Sequence, residues 1–132
     1  MSTRLLTPKR TRPDQPDWHV FQQWLPSLRE VARELDDPRA TPRYPVHGPI
    51  KLGHHSPFNK RFMALCDGWA TDLSAQGLGA LVEYPLPPTG DMAVDLTHLV
   101  GQRCVLPLRV VYVRPLLAHV HRLGAMFTCS AG

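Results

Sequence analysis

The sequence predicts a mainly β protein: a six-stranded antiparallel β-barrel preceded by an N-terminal helix. Three observations lead there. From Tyr44 onward the apolar residues recur with a period of two, the mark of strands with one buried face. Turn residues interrupt that pattern at short intervals. The chain also holds 14 prolines, about twice the usual frequency. Each lacks a backbone donor and fixes φ, which argues against a helical bundle.

Residues 1–16 are polar, basic and broken by proline, the composition of a disordered tail. Residues 17–37 have helical periodicity. Trp18, Phe21, Leu25, Leu28, Ala32 and Leu35 form one apolar stripe, widened by Trp24 and Val31, with Asp17 as the expected N-cap. Pro26 is expected to kink or divide this helix. The stripe is too apolar to face water, so it is expected to pack on the domain, a second copy or a partner. A Pro-containing linker (36–43) leads into the barrel, residues 38–132. Val46, Ile50 and Leu52 mark a first strand with an irregularity at Gly48–Pro49, followed by a loop at 53–59. Further strands are expected at 60–72 (bulged near Gly68), 77–84, 91–96, 103–113 and 118–128.

A chain of 132 residues suits one modest core plus a tail. No apolar run approaches the ~18 residues of a membrane span, and the basic N-terminus lacks the apolar stretch of a secretory signal. Cys66, Cys104 and Cys129 are odd in number and show no CxxC spacing, which reads as reduced thiols in a cytoplasmic protein. The net charge of +4 is mild. It suits a small anionic ligand and is too weak to argue for nucleic acid.

Two short elements carry chemistry. Arg39-Ala40-Thr41-Pro42-Arg43 is an RxxxR, and Asp72-Leu73-Ser74-Ala75-Gln76-Gly77 is a DxSxxG. An arginine offers a charged fork of donors that grips a phosphate or the O6/N7 edge of guanine, and its flat face stacks on a base. Asp72 can accept the N1–H and N2–H of guanine, which arginine cannot. Ser74 can donate or accept and, two residues on, shares the side of an extended segment with Asp72. Gly77 permits positive φ or close approach of the backbone. Together these groups fit a guanine nucleotide with two phosphates.

In these motifs the chain resembles the PilZ domain family, bacterial receptors for cyclic di-GMP. The resemblance covers roughly residues 39–129. It rests on the RxxxR followed by Arg43-Tyr44-Pro45-Val46, on Asp72-Leu73-Ser74-Ala75-Gln76-Gly77-Leu78-Gly79, and on the closing Gly124-Ala125-Met126-Phe127. It implies a six-stranded barrel binding cyclic di-GMP on its outer surface. Arg39 and Arg43 would wrap the ligand from the linker, Asp72 and Ser74 would bind it from the barrel, and Gly77 would shape the turn. Many relatives carry a further arginine where this chain has Pro38, a position that bears on whether one ligand or a stacked pair binds.

The expected function is therefore that of a non-enzymatic receptor that changes conformation on binding cyclic di-GMP and regulates a protein partner, with no other cofactor and no metal. The chain itself would be a monomer or homodimer. The rival is an adaptor of the same fold that binds no nucleotide. His54-His55 and His119-x-His121 lack further ligands at metal spacing. No G-x-S-x-G supports a Ser-based triad. Trp69 and Tyr112 read as core or barrel-surface aromatics, and Arg114 and Arg122 as cations outside the main site.

Overall fold

The structure, a computed structural model, describes residues 17–28, 43–55, 61–83, 91–117 and 119–128. The N-terminal tail, residues 29–37 of the expected helix, Arg39 and Cys129 lie outside the described residues. A closed antiparallel barrel runs in the order β1-β2-β3-β6-β5-β4. Its strands are β1 (Tyr44–His55), β2 (Phe62–Leu73), β3 (Gly77–Val82), β4 (Asp91–Asp95), β5 (Val105–Leu117) and β6 (Val120–Phe127). Helix α1 (Trp18–Trp24) precedes them and continues as a 3-10 turn, Leu25–Leu28. The change of helix type falls beside Pro26, whose missing N–H cannot extend the α-helix.

Alternation builds the core. Val46, Ile50 and Leu52 of β1, Leu106, Leu108 and Val110 of β5, and Leu78, Ala80 and Val82 of β3 point inward and are buried. Each large side chain so placed contributes roughly 1.5–3 kcal/mol. The stripe of α1 packs on the barrel. Trp18 and Phe21 meet Phe127 of β6 edge to face, with ring centroids at 5.5 and 5.2 Å.

Several local expectations are corrected. β1 continues through Gly53 to His55, where a loop was expected. Its glycine lets the backbone press against the Met63 carbonyl of β2, closer than a side chain would allow. Gly68 is not bulged: it pairs regularly with Ile50 on one side and Val82 on the other. A Cβ there would sit only 3.2–3.3 Å from atoms of Leu81, Val82 and Ile50, so glycine serves a tight crossing. The bulges in β2 fall elsewhere, at Leu65 against β1 and at Thr71 against β3. A single helical turn, α2 (Thr97–Val100), joins β4 to β5. It is too short to show periodicity in sequence and ends on Gly101 at φ +90°.

Asp17 does not cap α1 with its side chain. Its carboxylate is buried and accepts the Val105 N–H at 2.8 Å, with Arg103 at 3.4 Å, while its own N–H donates to the Val105 carbonyl at 3.1 Å. The residue thus fastens the start of the helix to the start of β5. Asp17→Ala leaves the Val105 N–H buried without its acceptor and is expected to cost about 1–3 kcal/mol in urea unfolding. A loss no larger than that of an exposed Asp→Ala control would show that the contact carries no stability.

Burial, reinforced by the charges of Asp17 and Asp95, pushes the Cys104 thiol from 9.0 up to about 12. Below pH 9 the thiol is protonated in both states, and its full contribution is present. Between 9 and about 12 the unfolded chain loses this proton and the folded chain keeps it. Stability therefore falls as pH rises, by at most about 1.4 kcal/mol per pH unit from this group. The melting temperature of Cys104→Ala should decline less steeply over that window than that of the wild type. Parallel curves would show that the thiol is not held protonated.

Candidate functional site

The pairing of β1 with β2 brings the two sequence motifs together. Tyr44 lies opposite Leu73 and Pro45 opposite Asp72, so Arg43, just before β1, arrives beside the acid. The Arg43 Nη1 and Asp72 Oδ1 are 3.5 Å apart. The Arg43 side chain is half-exposed, and such a pair contributes at most about 1 kcal/mol. A guanidinium carries five N–H donors, so one contact leaves others for a ligand. Arg39 lies outside the described residues.

Ser74 departs from the side-by-side placement expected with Asp72. β2 ends at Leu73, and Ser74 turns in and is buried. Its hydroxyl accepts the N–H groups of Gln76 and Gly77, each at 3.1 Å, and its own N–H donates to the Gly77 carbonyl at 3.0 Å. With both lone pairs engaged, the hydroxyl proton is what remains to offer. Gly77 does not take positive φ; among the described glycines only Gly101 does. Of the two expected reasons for glycine, close approach holds, and the neighbour is the barrel itself: a Cβ would collide with the Ala125 carbonyl of β6.

Two bulges set the rest of the surface. In β2, Ala70 faces Ala80 and Asp72 faces Gly79, leaving Thr71 as an extra residue. Ala70 and Leu73 both point into the core, and the bulge turns Asp72 outward between them. In β5, Val110 faces Ala125 and Tyr112 faces Gly124, leaving Val111 extra. Tyr112 is turned outward in the same way. Since Gly79 also pairs with Gly124, a single outer row crosses four strands: Asp72, Gly79, Gly124, Tyr112. The row spans three inter-strand spacings, roughly 14 Å.

The glycines are the floor of this row. A Cβ on Gly79 would lie 2.5 Å from the Asp72 carboxylate, and one on Gly124 would enter the Tyr112 ring. The carboxylate and the phenol therefore lie down on the wall from opposite ends. The neighbouring outer row is Trp69, Leu81, Arg122 and Arg114. The Arg114 guanidinium stacks 4.8 Å from the centre of the Tyr112 ring. The surface thus combines an acid, cations and the exposed Trp69 ring beside a Tyr112 ring already stacked by Arg114, a set of groups suited to a nucleotide. Tyr112, Trp69, Gly79 and Gly124 were not assigned to it from sequence. Glycines inside strands signal close approach, but what approaches them is set by cross-strand register.

Other candidates carry less. Among the described residues no group of three His, Cys, Asp or Glu side chains could hold a metal ion. Burial raises the pKa of Cys66, as does nearby Asp67, and Cys104 is higher still, so neither thiol is activated as a nucleophile. No helix of the described residues is long and apolar enough to cross a membrane. No protein-family model and no curated protein matches the chain.

The Ser74 turn is open to test. Ser74→Ala removes the acceptor of two turn N–H groups and is expected to cost roughly 0.5–1.5 kcal/mol in urea unfolding. Amide exchange at Gln76 and Gly77 should accelerate. Unaltered exchange at both amides would show that the hydroxyl does not hold the turn.

Proposed function

We propose that this chain is a cytoplasmic, non-enzymatic receptor for cyclic di-GMP of the PilZ type. The observation that supports the reading most is the convergence of Arg43 and Asp72 at one end of a glycine-floored platform on the outer wall. The ligand offers two guanines and two phosphates. Asp72 would accept the N1–H and N2–H of one guanine. Arg43, with Arg39 from the preceding linker, would take guanine edges and phosphate oxygens. Ser74 would donate its remaining proton, and Gly77 would keep the turn seated on β6.

Binding would draw Arg43 from its partner toward the ligand and so pull on the linker that leads back to α1. The turn has a second route to the same helix: the Gln76 carbonyl accepts the Phe127 N–H at 2.8 Å, and Phe127 packs on Trp18 and Phe21. A shift of α1 would alter a protein interface and so control motility, exopolysaccharide production, biofilm formation or virulence. No bond is made or broken in this scheme, and no metal or further cofactor takes part.

Isothermal titration with cyclic di-GMP, with GTP and cyclic di-AMP as controls, tests the reading. Selective binding at micromolar or tighter affinity is expected, and its molar ratio separates a single ligand from a stacked pair. Arg43→Ala and Asp72→Ala should each weaken it by about tenfold to a hundredfold, the worth of a charged hydrogen bond, with unchanged circular dichroism. Affinity preserved in both variants would overturn the proposed site. No heat with the wild type would favour an adaptor acting through protein contacts alone.

A further inference from the structure

Arg114 of β5 and Arg122 of β6 are directly opposite one another across an antiparallel pair. Both are exposed and belong to the outer face of the wall. Opposed residues of such a pair have Cβ atoms about 5 Å apart, and like charges placed there are destabilising. No ion pair among the described residues joins either arginine to a carboxylate. Arg109, four pairs further along the same hairpin, is by contrast matched to Asp91 of β4 at 3.2 Å. The neighbouring β4 therefore pairs one outward arginine of the hairpin and leaves two together.

The local packing also holds the first of the two in place. Tyr112 lies over Gly124 because only glycine leaves room for the ring, and Arg114 stacks on that ring at 4.8 Å. A stacked guanidinium has lost part of its side-chain freedom and keeps its edge donors free. Two guanidinium groups on adjacent strands, one of them ordered, match the oxygens of one phosphate group. The surroundings indicate where such a phosphate belongs. Leu81 separates Arg122 from the exposed Trp69, and the Asp72 row runs alongside. An acid and an exposed tryptophan face are base-binding chemistry and have no use for a lipid headgroup.

We propose that Arg114 and Arg122 form a phosphate subsite at the far end of the platform, two to three inter-strand spacings (roughly 10–14 Å) from the Arg43–Asp72 end. The ligand then lies across β2, β3, β6 and β5 rather than at the two motifs alone. The identity of that ligand rests on the receptor reading above; the anion-binding pair does not.

The test is titration of the full chain with cyclic di-GMP at low and moderate salt, using wild type, Arg114→Gln, Arg122→Gln and the double variant. Each single change is expected to weaken binding about tenfold or more, and the double variant to show a shallower salt dependence. A double variant that binds as wild type does, while Arg43→Ala does not, would overturn the subsite and leave the receptor reading standing. If the wild type binds no cyclic di-GMP, the receptor reading fails, and pyrophosphate becomes the probe. Movement of the Arg114 and Arg122 Nε–H resonances on adding pyrophosphate would then support the anion pair, and resonances that stay in place would overturn it.

Discussion

Two extra residues, Thr71 in β2 and Val111 in β5, determine what the outer wall presents. A strand of strict period two that buries Ala70 also buries the residue two further on, which is Asp72. The same holds for Val110 and Tyr112. Each bulge changes the parity of its strand, so that Ala70 and Leu73, or Val110 and Val113, can both serve the core while Asp72 or Tyr112 faces out. The two bulges flank the same rung of the barrel. Remove either, and the platform loses one end while an acid or a phenol is driven into a core of leucine and valine, where an unpaired polar group costs several kcal/mol.

The glycines complete what the bulges begin. Gly79 and Gly124 are neighbours on the two strands between β2 and β5. Neither has an unusual φ, so backbone freedom does not explain them. Their use is the space above them, occupied by the Asp72 carboxylate and the Tyr112 ring. In a strand interior glycine is unfavourable by roughly 0.5–1 kcal/mol relative to alanine. Two at one rung are intelligible as the floor of a surface that must lie flat.

Much of the fold was legible in sequence because strand alternation is local. All six strands fall within a few residues of their expected places. What was hidden depends on partners far along the chain. Asp17 has the residue type and position of a helix cap, and its engagement with Val105 appears only once β5 is beside it. Gly68 reads as a bulge, yet the bulges lie three residues to either side, at Leu65 and Thr71, because bulges are defined by the neighbouring strand. Tyr112 and Trp69 were set aside as ordinary barrel aromatics, since nothing local ties them to Asp72. Arg43 and Asp72 were linked in advance by their motifs, and pairing of Pro45 with Asp72 supplies the physical reason. The Ser74 hydroxyl was read as a ligand group first; its chief work is to hold the turn.

The same turn limits how α1 can respond to events on the wall. The helix is fastened at its first residue by the reciprocal pairing of Asp17 with Val105 on β5. Its aromatic face rests on Phe127, whose N–H is tied to Gln76 in the Ser74 turn. A helix held at its start and supported from below cannot slide along the barrel without breaking a buried hydrogen bond. Trp18 and Phe21 are buried in the core, whereas Leu25 and Leu28 are only partly buried against it, so the hold on the helix is firmest at its start.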